Sequence, residues 1–421
     1  MNERSVSVNG ISIYSLTNPN LRSFCLSLYV RAGSIFEDLS NNGISHLFEH
    51  VVFRNIKNKY ENFYELLAMH GLCFQGSTYK KFVSFTIDGP QHEFDFAIEI
   101  LCGLFDEIKL TSQDFNNEKG RIKAEIREKD RRSSLDFYFD SIVWKNSEVE
   151  KIVLGYCKTV DRVSVKKINE FRQKVLSAGN CFVYATGNIS DKNLDALNKK
   201  ISELDISQSN PGFTNTVTVN DEFFHRKKKI WIKNNYWHYI QIGFDVDCSK
   251  YPGGVYDLLY ALLFNGDKAL VYNYLSEDNP IIYSYDSTFE QYDNVGNINF
   301  SFEVDRNKIE DVFKTVVELL NAAKDGRFNF EANLNYEMFN WELDLDNPDN
   351  LNWNMAYYNH ILKTQPIDYS DEFYGRFRVT KEQIIDAAKY IFRRCNMTVA
   401  VKGDRKKINT EAIEKILESL D

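Results

Sequence analysis

The sequence predicts an α+β fold made of two homologous α/β-sandwich domains. Each would be a mixed or antiparallel sheet with helices packed on one face. Three observations predict this: an internal repeat, strands that precede helices without alternating strictly with them, and a polar stretch between the two halves.

The repeat is clearest near the end of each half. Residues 162–188 (RVSVKKINEFRQKVLSAGNCFVYATGN) align without a gap onto residues 378–404 (RVTKEQIIDAAKYIFRRCNMTVAVKGD), pairing Arg162 with Arg378, Ile168 with Ile384, Asn180 with Asn396 and Gly187 with Gly403. In both copies Ser164 or Thr380 is placed to cap an amphipathic helix. A polar break follows, then a β-branched and aromatic strand ending at Gly. The halves also begin alike. Phe24–Val30 reads as a strand, and Tyr239–Val246 is its counterpart. Between these ends the pattern predicts strands at Val83–Ile87 and Ile298–Val304, and helices at Phe94–Ile108 and Lys308–Ala323. Residues 205–221 are rich in Ser, Asn, Thr, Pro and Gly and read as a linker. The expected organisation is therefore a domain at 1–204, a linker at 205–221 and a second domain at 222–421.

Composition narrows the function classes. The chain has 421 residues, 43% hydrophobic and 26% charged, which suits about two or three folded domains and excludes a disordered chain. A net charge of −9 disfavours a nucleic-acid partner, and the basic run His225–Lys229 is short enough to be a solvated strand entrance. Seven cysteines at wide spacing, with no CxxC, argue against a disulfide framework or a Cys-rich zinc site. They read as reduced residues, and with no leader or apolar span apparent the expected location is the cytoplasm.

One motif carries chemistry. Residues 46–50 are His46-Leu47-Phe48-Glu49-His50. On a helix, positions i and i+4 share a face, so both imidazoles can reach one cation with Glu49 beside them. Zinc favours His nitrogen and carboxylate oxygen, and H-x-x-E-H is the inverted form of the H-E-x-x-H metalloprotease motif. Such a pattern arises by chance about once in a hundred chains of this composition, so it needs support. A third ligand could come from the helix predicted over Ser112–Arg131, where Glu118 and Glu125 lie seven apart on a face shared with Phe115 and Ile122. Burying two carboxylates there would need a counter-charge, which a metal bound by one of them would supply. A solvated helix with pairs such as Glu125–Lys129 accounts for the same residues.

These features together resemble the pitrilysin/insulinase-type inverzincin zinc metallopeptidases over nearly the whole chain. The segment Gly43–Phe53 is similar to that family's zinc-helix signature, and Glu118 and Glu125 in E-K-G-R-I-K-A-E match its second glutamate pair. The length resembles the small, dimeric, two-domain branch typified by mitochondrial processing peptidase. The resemblance implies one zinc ion per chain held by His46, His50 and Glu125. Glu49 would be the general base acting on zinc-bound water, and Glu118 would hydrogen-bond a ligand histidine. It also implies an edge strand at Phe74, Gln75, Gly76, Ser77 and Thr78 to which a peptide substrate adds, although the family usually carries Asn-Ala where this chain has Gln75-Gly76. Family members further use an Arg and, seven residues later, a Tyr in the second domain. Here Tyr283 is present but Ser276 stands at the Arg position. The expectation is a zinc endopeptidase cutting peptides or unstructured precursors in an enclosed chamber, a ribosomal peptide precursor being one specific substrate. It would be the zinc-bearing subunit of a heterodimer whose homologous partner supplies Arg and Tyr, a homodimer being the lesser expectation. The competing reading is a non-catalytic scaffold or peptide-binding subunit of the same fold, which the missing Arg favours and the complete His46/Glu49/His50/Glu125 set opposes.

Overall fold

The structure, a computed structural model, describes residues 3–129, 134–213, 217, 219, 223–224, 229–364, 366–367 and 378–421. The basic run at 225–228 and parts of the 205–221 linker lie outside the described residues. The chain forms two compact units. The first draws on residues 1–129, 148–215 and 342–370, and the second on 130–147, 216–341 and 371–421. Each unit thus takes most of its residues from one half of the sequence repeat and one short segment from the other half.

The first unit is built on a six-stranded sheet. Its strands are β1 (Arg4–Val8), β2 (Ile11–Thr17), β3 (Ser23–Val30), β4 (Cys73–Thr78), β5 (Val83–Pro90) and β6 (Cys181–Gly187), in the order β1-β2-β6-β3-β5-β4. β6 runs parallel to β2 and antiparallel to β3. The second unit has β7 (Ile230–Asn234), β8 (Tyr239–Asp247), β9 (Asp286–Tyr292), β10 (Val295–Glu303) and β11 (Met397–Gly403), in the order β7-β11-β8-β10-β9. β11 is parallel to β7 and antiparallel to β8. Strand for strand, β2-β6-β3-β5-β4 and β7-β11-β8-β10-β9 are the same arrangement, so the sequence repeat is a structural one.

The repeat is kept by matching chemistry. Ser164 Oγ accepts from Lys167 N and Thr380 Oγ1 from Gln383 N, so both helices start on the capping hydroxyls that the sequence marks. The paired asparagines behave alike too. Asn180 Nδ2 donates to Val175 O and Arg31 O, and Asn396 Nδ2 donates to Ile391 O and Asp245 O. Each amide thereby ties the end of its helix to the central antiparallel strand of its sheet.

Period-2 alternation sets the faces of each sheet. In β3, Phe24, Leu26, Leu28 and Val30 are fully buried in the first core with Leu47, Phe48 and Val51 of the helix Ile44–Lys57. In β8, Ile240, Ile242, Phe244 and Val246 enter the second core with the helices Gly253–Phe264 and Ile309–Lys324. Each fully buried side chain of this size contributes roughly 1.5–3 kcal/mol. The opposite face of each sheet carries one further helix. In the first unit this is Pro348–Met355, where Asn352 accepts from Tyr29 Oη at 2.9 Å and donates to Tyr184 O at 3.0 Å. In the second it is Leu135–Val143, with Phe139 packed at Gly243 and the following Trp144 donating Nε1–H to Glu290 at 2.9 Å. Among the described residues no helix is long and apolar enough to cross a membrane.

Candidate metal centre

The helix Ile44–Lys57 starts at Gly43, whose φ of 96° is open to glycine at little cost. A Cβ there would sit 2.8 Å from Leu154 O, so the close approach of that loop also requires glycine. The buried Glu37 carboxylate caps the helix by accepting from Gly43 N at 2.7 Å and Ser45 N at 2.8 Å. Burial pushes the Glu37 pKa up, against these hydrogen bonds. The helix start is therefore fixed just before the first histidine.

His46 and His50 lie one turn apart with ring centroids 4.7 Å from each other. The glutamate helix, Ser112–Glu128, is capped by Thr111 Oγ1 accepting from Asp114 N and brings Glu125 against both rings. Glu125 Oε2 is 3.6 Å from His46 Nε2 and 4.0 Å from His50 Nε2. These separations are too long for hydrogen bonds. They are close to the ~3.4 Å between neighbouring donors around a tetrahedral ion with bonds of about 2.1 Å. Two imidazole nitrogens and one carboxylate oxygen also form a donor set that zinc favours, so the residues present fit the metal. Burial, reinforced by His50 and Lys129, lowers the His46 pKa to about 3, which keeps its ring neutral and its lone pair free.

Glu118 is almost fully buried behind His50. Its Oε2 is 3.5 Å from His50 Nδ1, and Arg54 and Arg121 approach the other oxygen at 3.9 and 3.5 Å. A carboxylate at Nδ1 holds the ring so that Nε2 points at Glu125. Arg54 is anchored in turn by Asp114 at 2.6 Å.

Glu49 points to the sheet. Its Oε2 accepts from Thr78 Oγ1 at 2.6 Å, and its side chain lies over Gly76, where a Cβ would come within 3.0 Å of Glu49 Cγ and 3.1 Å of Oε1. Burial raises the Glu49 pKa, and the Thr78 hydrogen bond partly opposes that. Thr78 has no place in the two-residue departure Gln75-Gly76, yet it holds the carboxylate. The parity of β4, which puts Phe74, Gly76 and Thr78 on one face, is the signal that marks it.

β4 ends the sheet and pairs only with β5, so its outer backbone edge is unpaired in the first sheet. Its side chains divide. Phe74 is buried and stacks on Phe53 at 4.7 Å, so this residue can offer a ligand only its backbone. Gln75 and Ser77 project from the sheet face away from the histidines, where they line a cavity. In the second unit Tyr283 is 98% exposed, and Ser276 is half-buried in the π-helical turn Asn273–Glu277.

A repeated α+β unit that brings His46, His50 and Glu125 close enough to hold one metal ion is the arrangement of an inverzincin-type peptidase fold. The family profile described as Insulinase (Peptidase family M16) matches residues 13–155, and that of the Peptidase M16 inactive domain matches residues 162–332. The chain belongs to this family of zinc metallopeptidases. It is 21% identical to the uncharacterized zinc protease YmxG of Bacillus subtilis over 77% of this chain and 79% of that protein. It is 23% identical to the mitochondrial-processing peptidase subunit beta of Saccharomyces cerevisiae, over 44% of this chain and 41% of that one. A zinc protease PQQL-like protein of Arabidopsis thaliana is 28% identical over 44% of this chain, which spans only 20% of that relative. Among solved structures, a protease from Helicobacter pylori superposes with a TM-score of 0.82 at 18% identity, covering 96% of this chain and 99% of that one. A peptidase M16 inactive domain protein from Pseudomonas fluorescens gives the same TM-score at 13% identity, over 96% and 98%. These two share the fold.

Proposed function

We propose that the chain is a zinc-dependent endopeptidase acting on peptides or unstructured precursors. The observation that carries this is the convergence of His46 Nε2, His50 Nε2 and Glu125 Oε2, with an ionisable Glu49 held beside them. His46, His50 and Glu125 would hold one zinc ion, which when bound supplies a Lewis acid for the scissile carbonyl and lowers the pKa of water. Glu49 then takes the proton of the attacking water on its carboxylate and delivers it to the leaving amine. Thr78 fixes that carboxylate. The open edge of β4 binds the substrate main chain as an added strand, which favours extended, unfolded segments and disfavours folded ones.

Ser276 at the position where family members carry Arg supports assembly with a homologous chain that brings its own Arg and Tyr. This heterodimer would present the zinc site inside an enclosed chamber, and a ribosomally made precursor peptide is a substrate of suitable kind. None of the seven cysteines forms a disulfide, which suits a reducing compartment such as the cytoplasm.

The test is Glu49→Gln. The variant should retain one zinc per chain and lose turnover of an unstructured peptide by about 10²–10⁴-fold. A chain that holds no stoichiometric zinc, or whose activity is unchanged by Glu49→Gln, is a scaffold or binding subunit instead. Full activity of the chain by itself would remove the heterodimer.

A further inference from the structure

The two sheets differ at one edge. In the first unit β1 covers the edge of β2 as an antiparallel strand, with Val6 opposite Ile13 and Arg4 opposite Ser15. β1 also lies against the helix Asp191–Ser202, where Arg4 pairs with Asp191 at 2.8 Å. The repeat carries β2 onto β7 and this helix onto Thr410–Leu417. Ile13 faces Val183 in the parallel pair of the first sheet, and Ile230 faces Val399 in the same way in the second. Among the described residues, however, β7 pairs only with β11, and its outer edge has no strand. A groove of about 760 Å3 opens there, between β7 and Thr410–Leu417. It is the place that β1 fills in the first unit.

The described residues ahead of β7 come from the opposite edge of the sheet. Val217 N donates to Asp293 at 2.7 Å, in the turn between β9 and β10, and Phe223 is buried against Trp144, which also meets Tyr292. Residues 225–229 alone separate Phe224 from Ile230, and a strand like β1 with its Asn9-Gly10 turn takes more. The groove sets the chemistry of what enters it. Its floor is apolar, made by Ile230, Ile232 and Ile408. Its rim places Arg405 and Lys415 against Glu411 and Glu418, a balance that favours a segment of low net charge. The bare strand edge offers backbone N–H and C=O groups at strand spacing, and the floor takes every second side chain. β1 itself, Arg4-Ser5-Val6-Ser7-Val8, fills the equivalent groove and shows the pattern: polar residues alternating with β-branched ones. We infer that the β7 edge is a docking site for an extended segment of a separate polypeptide. That segment has low net charge and β-branched residues at alternate positions, and it adds to the second sheet as a sixth strand, antiparallel to β7.

The probe is a fluorophore-labelled peptide with the sequence of residues 2–9, blocked at both ends, in which the charges of Glu3 and Arg4 cancel. It is titrated by anisotropy into the full chain carrying Glu49→Gln, so that it stays uncut. Saturable binding is expected. It should weaken roughly tenfold or more when the peptide bears both Ser5→Pro and Val6→Pro, because one of those two N–H groups must face β7. It should weaken as much in the chain variant Thr410→Trp, shown folded by circular dichroism, which fills the groove from the helix. A photo-reactive group at the peptide's copy of Val6 should attach to Ile230–Ile232 or to residues 410–418 of the parent chain, a map that needs no groove variant. Absence of saturable binding overturns the docking site, as do equal binding of the proline peptide and unchanged affinity in folded Thr410→Trp. Attachment to β4 overturns it in favour of the edge beside the zinc ligands. If the same group placed at position 6 of the chain itself links to β7 of another copy, the occupant is a second copy and the separate partner is overturned.

Discussion

Replacing Glu118 by Gln isolates the part played by the carboxylate behind His50. The side chain keeps its shape and volume in a site that leaves it 2% exposed, but the charge 3.5 Å from His50 Nδ1 is gone. With His50 as a proposed zinc ligand, that charge would hold the ring with Nε2 toward Glu125 and raise its basicity. Loss of such a partner weakens metal binding by about 10–100-fold, or about 1.4–2.8 kcal/mol. The fold should suffer less, because Arg54 keeps its 2.6 Å contact with Asp114 and Arg121 is exposed. The assay is competition for zinc against a chelator of known affinity, run beside thermal unfolding of the metal-free chain. The expected outcome is a zinc affinity lowered by one to two orders of magnitude with a small change in the metal-free melting temperature. An unchanged zinc affinity in a folded variant would refute the claim that the Glu118 charge acts through His50.

Thr78→Val should leave zinc content intact and lower kcat by about 10–100-fold, since a hydrogen bond to a charged group is worth about 1.5–3 kcal/mol; single-turnover kinetics with a saturating peptide checks it. Asn180→Leu and Asn396→Leu should each destabilise the chain by about 2–4 kcal/mol, because each strands two buried carbonyls; urea unfolding followed by a probe in each unit checks both the size and the similarity of the two losses. Glu337, buried and accepting from Asn265, has its pKa raised by burial. The folded state therefore holds this proton more tightly than the unfolded state does, and the contribution of the group to stability falls as pH rises above the ordinary glutamate range. Glu337→Gln should accordingly gain on the parent as pH rises from 4 to 8, and urea midpoints at the two pH values measure it.

The parts of the site that were legible in the sequence are those set by helical spacing. His46, Glu49 and His50 share a turn, and Glu118 and Glu125 lie seven apart, so local geometry alone gives them a common face. What brings the two helices together is tertiary; the need of a metal for a third ligand and of two carboxylates on an apolar stripe for a counter-charge suggested it, and the family resemblance strengthened it. The repeat was legible because the same cap, the same asparagine and the same glycine recur in register, and each performs the same task in its own sheet. The contact of Thr78 with Glu49 was not legible, since it joins a strand to a helix 29 positions away through a side chain that reads as an ordinary β-former. Phe74 shows the opposite limit. It stands in the expected strand, yet parity sends its ring into the core. The helices that cover the second face of each sheet were invisible for a simpler reason. Pro348–Met355 meets β3 more than 300 residues away, and nothing local in either segment announces the other.

That last feature bears on how the chain is made. The aromatic and polar face formed by Tyr29, Phe182 and Tyr184 gains cover from residues near 350, which are synthesised more than 160 positions after the last of these three side chains. Until then the nascent first sheet carries an uncovered side, and a product truncated before that point would keep it bare. The first unit is thus committed to late closure, and holding it soluble during translation becomes a task for whatever receives the emerging chain.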